Sequence, residues 1–250
     1  MKKRSILAGV VLFVGLFAFY WLYVEKTDSR PRNEEILSQV NSSLQNAQAV
    51  EIQDFLKLDD GHGVAPFLSD KEQYGVSYWE KHLTGWKVIS IRTDGEPKVW
   101  RLDGNDPSSF HIVWNIDPGS NIQTLQYYFM RERGYSSSGE QQHYVPGILM
   151  KTEASLAGKS YGAMKIPGEW GDALTLSDGS DSPDPFFWDN FELGIHSQFG
   201  WIPLDENNKE VDWKNSSNNS SYYKGNVREQ HMQLLDQYQV NKASFKKNEE

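Results

Sequence analysis

Nineteen consecutive residues, Ile6 to Val24, carry no charged side chain, and they follow directly on Lys2, Lys3 and Arg4. As a helix rising about 1.5 Å per residue, such a run reaches roughly 28 Å, close to the roughly 30 Å hydrocarbon core of a bilayer. The basic residues predict a front end held in the cytoplasm, with the chain after residue 24 on the far side. A cleaved signal peptide would have an apolar stretch of about 7 to 15 residues and small side chains at its cleavage site. Bulky Tyr20, Trp21 and Tyr23 close this run instead, as suits the lipid–water boundary. The expectation is a single-pass signal-anchor in the cell membrane, with residues 1–5 as a cytoplasmic stub and 6–24 as the transmembrane helix. The chain has no cysteine to carry a lipid. Gly9, Gly15 and Ala18 do not make the small-xxx-small spacing that pairs membrane helices.

Beyond the anchor, the sequence has the content of a folded domain. Hydrophobic residues make up 38% of the chain and aromatics 13%, whereas disordered segments are poor in aromatics. The absence of cysteine removes disulfides, thiolate nucleophiles and cysteine metal sites together. The net charge is −9, and since residues 1–25 carry +2, the remainder carries −11. Such an acidic surface disfavours nucleic acid and anionic bilayers, both of which reward clustered Lys and Arg.

Two kinds of pattern follow. Between Pro31 and Val50, Ile36, Leu37, Val40, Leu44 and Ala47 recur at steps of three and four, the stripe of a helix with Gln and Asn on its other faces. The stripe lacks the aromatics of an interfacial helix, so this juxtamembrane helix, within a connector spanning 25–50, is expected to dock on the protein's own sheet. After Val50, turn clusters recur about every ten residues: Asp59-Asp60-Gly61, Thr84-Gly85, Asp94 to Pro97, Asp103 to Pro107, and Asp117 to Ser120. Strands are predicted between them, around Trp86 to Ile91, Val99 to Leu102 and Phe110 to Asn115, the last with Phe110, Ile112 and Trp114 alternating with His111, Val113 and Asn115. From Thr124 to Arg133, Leu125, Tyr127 and Phe129 fit a strand face while Leu125, Tyr128 and Phe129 fit a helix; strand is favoured. Further strands are read at Tyr144 to Lys151, Tyr161 to Ile166 and Phe199 to Leu204. The fold class expected is α+β, a mainly antiparallel β ectodomain over 51–213 with a flanking helix. A polar linker over 214–226 and a short helix with a charged tail over 227–250 complete the reading.

Several motifs bear on chemistry. Gly158-Lys159-Ser160-Tyr161-Gly162 has the G-x-S-x-G form, whose serine needs a turn from strand into helix. Ala163 to Gly168 is too short and too soon broken by Pro167 to supply that helix, so a plain turn is expected. Partners for Ser160 would have to come from His196 or His231 and from Asp184 or Asp189. Asp178, Asp181 and Asp184 collect hard oxygen ligands of the kind calcium takes, but Pro183 and Pro185 interrupt any EF-hand spacing. The six histidines form no H-E-x-x-H or other close zinc pair. All tryptophans but Trp21 lie beyond the anchor, and packing into a β core is the first expectation for them. Phe187, Trp188 and Phe191, beside the acidic run, are the aromatic group that would stack on a cell-wall glycan or grip an envelope protein.

No cofactor is implied. These features predict a membrane-anchored extracytoplasmic binding or regulatory module of the cell envelope. The alternative is an anchored hydrolase of envelope material, which requires a deep cleft that gathers two carboxylates, or Ser160 with a histidine.

Overall fold

The computed structural model describes residues 12–15, 17, 30–45, 47–138, 141–177, 197–213, 223–225 and 227–245. Leu12 to Gly15 and Phe17 are helical and exposed, and the rest of the Ile6 to Val24 run lies outside the described residues. Among the described residues no helix is long and apolar enough to cross a membrane.

The fold is mainly antiparallel β with few helices. Its first sheet holds β1 (Ala49–Ile52), β2 (Leu56–Lys57), β3 (His62–Ser69), β4 (Tyr74–His82) and β5 (Gly85–Arg92). The second runs in the order β12 (Tyr161–Lys165), β7 (His111–Asn115) and β6 (Lys98–Trp100). The third runs β11 (Ile148–Ser155), β8 (Thr124–Arg131) and β13 (Ser197–Leu204), and β9 (Gly134–Ser138) pairs β10 (Gln141–Val145) as a separate ribbon. The chain thus uses a strand between Thr124 and Arg131, and Pro146-Gly147 splits the single strand expected from Tyr144 to Lys151.

Side-chain alternation stacks these sheets in layers. In β3 and β4, Ala65, Phe67 and Trp79 face one way, into a cluster with Ile36 and Val40 of α1 (Asn33–Ser43). Val64, Val76 and Tyr78 face the other way, against Trp100 and Val113 of the second sheet. That sheet turns Val99, Phe110, Ile112 and Trp114 toward Leu125, Tyr127, Phe129, Phe199 and Trp201 of the third. All of β7 is therefore buried, on both faces. The outer face of the third sheet, Tyr128, Met130, Ile202 and Leu204, is partly covered by Val240 of α3 (Gln237–Phe245). Every residue of these clusters lies between Ile36 and Ala243, so residues 30–250 hold the entire described core.

Helix α1 docks on the sheet as its stripe predicts, but it ends at Ser43 rather than reaching Val50, which is already in β1. Its polar faces are not merely solvated. The Asn41 amide donates to the Ala49 carbonyl (3.1 Å) and accepts from the Ala49 N–H (2.7 Å), and Gln39 does the same with Trp86 and Val88 on β5. Each amide stands in for a neighbouring strand and satisfies backbone groups that would otherwise be orphaned. Helix α2 (Gly168–Ser177) was not anticipated, although Trp170, Ala173 and Leu174 carry helical spacing and fill the space between the second and third sheets.

The largest departure lies at the end of the chain. Over 227–250, where one helix is expected, two short strands come first, and a third, β14 (Tyr223–Gly225), falls within the expected linker. Strand β14 adds to β5 in the first sheet, β15 (Glu229–His231) to β6 in the second, and β16 (Gln233–Leu234) runs parallel to β13 in the third. Residues 223–225 and 227–245 thus lie across all three sheets as a strap, and the core does not end near Trp213, because Met232, Leu235 and Val240 are buried within it. Close approach to the sheets needs glycine at two points. A Cβ on Gly200 would stand 2.3 Å from Leu235 Cδ1, and one on Gly225 would stand 2.5 Å from the Ile89 carbonyl. The strap ends in a capping box: the Asp236 carboxylate accepts from the Gln239 N–H (2.7 Å) and the Gln239 amide oxygen from the Asp236 N–H (2.9 Å), which starts α3. Most of the proposed linker, residues 214–222, lies outside the described residues.

Candidate functional site

The third sheet is only partly covered on its outer face. Its strands β8 and β13 have eight residues each and α3 has nine. At about 3.4 Å per strand residue and about 1.5 Å per helix residue, the sheet is roughly twice as long as the helix laid on it. The uncovered end becomes a cleft of about 840 Å³ between β8, β11, the β9–β10 ribbon and α3. Ligand pockets span about 300 to 1,000 Å³.

The floor of the cleft is apolar and continues the cluster under α3, with Met130, Leu149 and Leu235 at its edge. Its rim is cationic: Arg131, Arg133 and Lys242 against Glu132, the only carboxylate among the described residues that line it. Arg131 Nε donates to the Pro146 carbonyl (3.4 Å), which ties the guanidinium to the turn between β10 and β11. Partial burial there lowers its pKa from the ordinary arginine value. Arg133 and Lys242 are exposed and make no ion pair among the described residues. Gln198 and Gln233 add amide groups between the rim and the floor.

A second polar constellation is sealed inside the protein. Arg92, fully buried on β5, donates from Nη1 to the Asp94 carboxylate (2.7 Å) and carbonyl (2.6 Å), from Nη2 to the Val113 carbonyl (3.1 Å), and from Nε to Tyr78 Oη (2.8 Å). Its Nε also stands 3.2 Å from Glu229 of the strap, to which the Tyr78 hydroxyl donates, while Lys98 reaches Asp94 at 3.2 Å. Burial pushes the Asp94 pKa up, but Arg92 and Lys98 outweigh it and hold the carboxyl below its ordinary range. Burial pushes the Tyr78 hydroxyl well above its ordinary value. With every partner satisfied, this network ties the first sheet, the second sheet and the strap together as structure.

His111 on β7 is buried and holds the Ser109 carbonyl through Nδ1 (2.8 Å). Burial lowers its pKa below the ordinary 6.5, against the opposing pull of that carbonyl. The folded state therefore takes up the proton less readily than the unfolded chain. The resulting stability is fully present above about pH 6.5 and is lost as pH falls toward the depressed folded value. Chemical unfolding at pH 7.5 and at pH 5.5 is expected to show this loss, with a smaller difference in His111→Gln. An equal difference in both proteins would assign the effect to other groups.

The sequence-derived candidates fare differently. Asp178, Asp181, Asp184, Phe187, Trp188 and Phe191 lie outside the described residues. Ser160 sits in the turn between β11 and β12, and Tyr161 begins a strand, so the strand-to-helix elbow of a hydrolase serine is absent at this position. His231 is on β15, at the opposite edge of the second sheet from β12. Three strand spacings, about 14 Å, separate such edges, far beyond hydrogen-bond reach. His196, Asp184 and Asp189 lie outside the described residues. Among the described residues no group of three or more His, Asp and Glu could hold a metal ion. The tryptophans pack: Trp79, Trp86, Trp100, Trp114, Trp170 and Trp201 are all buried, and half-buried Trp213 donates to Glu96 (3.2 Å). The cleft residues escaped the sequence reading because Arg131 and Lys242 are joined only by tertiary structure, and no motif links them.

The fold and its cleft define a layered β protein with a cationic-rimmed cleft. Searches against protein-family models, curated proteins and solved structures find no match to this chain.

Proposed function

We propose that this protein is a membrane-anchored, extracytoplasmic binding module of the cell envelope, single-pass with its N-terminus in the cytoplasm, and that the cleft on the third sheet is its ligand site. The cleft carries this reading: it is concave and apolar below, with convergent polar groups at its rim, the general form of a ligand site. The placement rests on the uncharged run Ile6 to Val24 and the basic residues before it. Among the described residues that line the cleft there is one carboxylate, Glu132, and neither serine nor histidine, so the hydrolase alternative draws no support from them.

One experiment tests both halves, because the chain has no native cysteine to give background. Leu83 is 84% exposed at a hairpin tip, and Gln198 is exposed within the cleft. Leu83→Cys is expected to react with a membrane-impermeant maleimide in intact cells; reaction only after lysis would overturn the topology. Gln198→Cys is expected to react more slowly relative to Leu83→Cys in cells than in purified protein, because the ligand occupies the cleft. An unchanged ratio would overturn the binding role.

A further inference from the structure

The charge of the cleft runs against that of the chain. The protein carries −9 overall, yet Arg131, Arg133 and Lys242 line one opening with Glu132 as the sole carboxylate among its described residues. Exposed Arg133 comes from the turn between β8 and β9 and exposed Lys242 from α3, and they pair with nothing among the described residues. Like charges held together at a half-enclosed opening repel one another, and an anion between them removes that repulsion. The same cleft is lined by hydrocarbon from Met130, Leu149 and Leu235.

We propose that the cleft binds a single-chain amphiphilic anion, an acyl carboxylate or alkyl phosphate, whose head lies between Arg133 and Lys242 and whose chain lies on Met130, Leu149 and Leu235. This inference rests on the cleft being the ligand site. A guanidinium suits the head because it forms paired hydrogen bonds to a carboxylate or phosphate. Gln198 and Gln233 line the same wall and supply further donors. The chain buries apolar surface still open in the cleft, at half-buried Leu149 more than at Met130 and Leu235, which are already buried, at about 25 cal/mol per Å². Small size matters as much as charge. A polyanion or an anionic bilayer would also meet a protein whose net charge is −9, whereas a single chain meets only the cleft.

The test uses residues 30–250, which hold the entire described core. Decanoate and decyl phosphate are titrated in below their micelle concentrations, alongside neutral decyl maltoside, cationic decylammonium, and acetate and inorganic phosphate as heads without chains. The amide resonances of Gln198 and Gln233 report binding. At least one anionic amphiphile is expected to bind about tenfold or more tightly than the neutral, cationic and chainless probes, and the Arg133→Gln, Lys242→Gln double variant to lose about tenfold in its affinity. Which of the two anions binds distinguishes a carboxylate from a phosphate ligand. Preference for the neutral or cationic amphiphile, undiminished binding in the double variant, or no binding of either anion would overturn the proposal. Protection of Gln198→Cys in cells is a separate measurement, so the cleft can prove to be a ligand site while the anionic ligand is refuted.

Discussion

Arg92→Ala is expected to lower the melting temperature by roughly 6 to 20 °C, from a loss of about 3 to 5 kcal/mol. The reason is what the arginine leaves behind. Asp94 and Glu229, 10% and 9% exposed, would keep their charges with their principal cation gone, and the Tyr78 hydroxyl and Val113 carbonyl would lose a donor. A buried ion pair adds little beyond an apolar replacement, but half of one is strongly destabilising. Arg92→Met combined with Asp94→Asn and Glu229→Gln removes charge from both sides and is therefore expected to recover part of the loss. Thermal melts followed by circular dichroism decide it: a single variant within 2 °C or so of the parent would show that the network contributes little. Acidification acts on the same network. Because the folded pKa of Asp94 is depressed, its contribution is present above its unfolded value of about 3.9 and is lost as pH falls through the folded one.

A chain ending at Trp213 is expected not to fold. It would lose Met232, Leu235 and Val240 from the core and Glu229 from Arg92, and it would uncover the edges of β5, β6 and β13. Truncating a single buried aliphatic side chain costs about 2 to 5 kcal/mol, so three of them approach the roughly 5 to 15 kcal/mol that holds a domain together. The uncovered edges would also offer unpaired backbone groups to other molecules. Size-exclusion chromatography and a thermal melt are the measurements. A soluble monomer with a cooperative transition would show that the strap is dispensable. The contrast with a chain ending at Lys246 or beyond, which keeps the strap, separates this effect from loss of the terminal charges.

What the sequence disclosed depends on the range over which each signal acts. The turn clusters at Asp59 to Gly61 and Thr84-Gly85 fall between β2 and β3 and between β4 and β5, since the φ and ψ demands of a tight turn are met by its own residues. Ile36 and Val40 marked the buried face of α1 because the stripe of a helix is a local geometry. The spacing of Trp170, Ala173 and Leu174 and the Asp236–Gln239 capping box were equally local and equally legible, and α2 and the start of α3 could have been read from them. The strap was not legible in this way. Glu229-Gln230-His231 has neither the alternation nor the β-branched content of a strand, and it is extended because β6 offers an edge to pair with.

By itself, then, the sequence determined that the protein is mainly antiparallel β, where its turns fall, that α1 lies on a sheet and that its tryptophans are for the most part core. It also supplied the uncharged run that motivates the anchor. Tertiary structure alone decided that β7 is buried on both faces, that Arg92 meets Glu229 across 137 positions of sequence, and that Arg131, Arg133 and Lys242 share one cleft. Periodicity reports which face of an element seeks cover, because that is fixed by the backbone geometry of neighbouring residues. It does not report what provides the cover, since that depends on which distant segments the chain brings together and how much of each sheet they are long enough to hide.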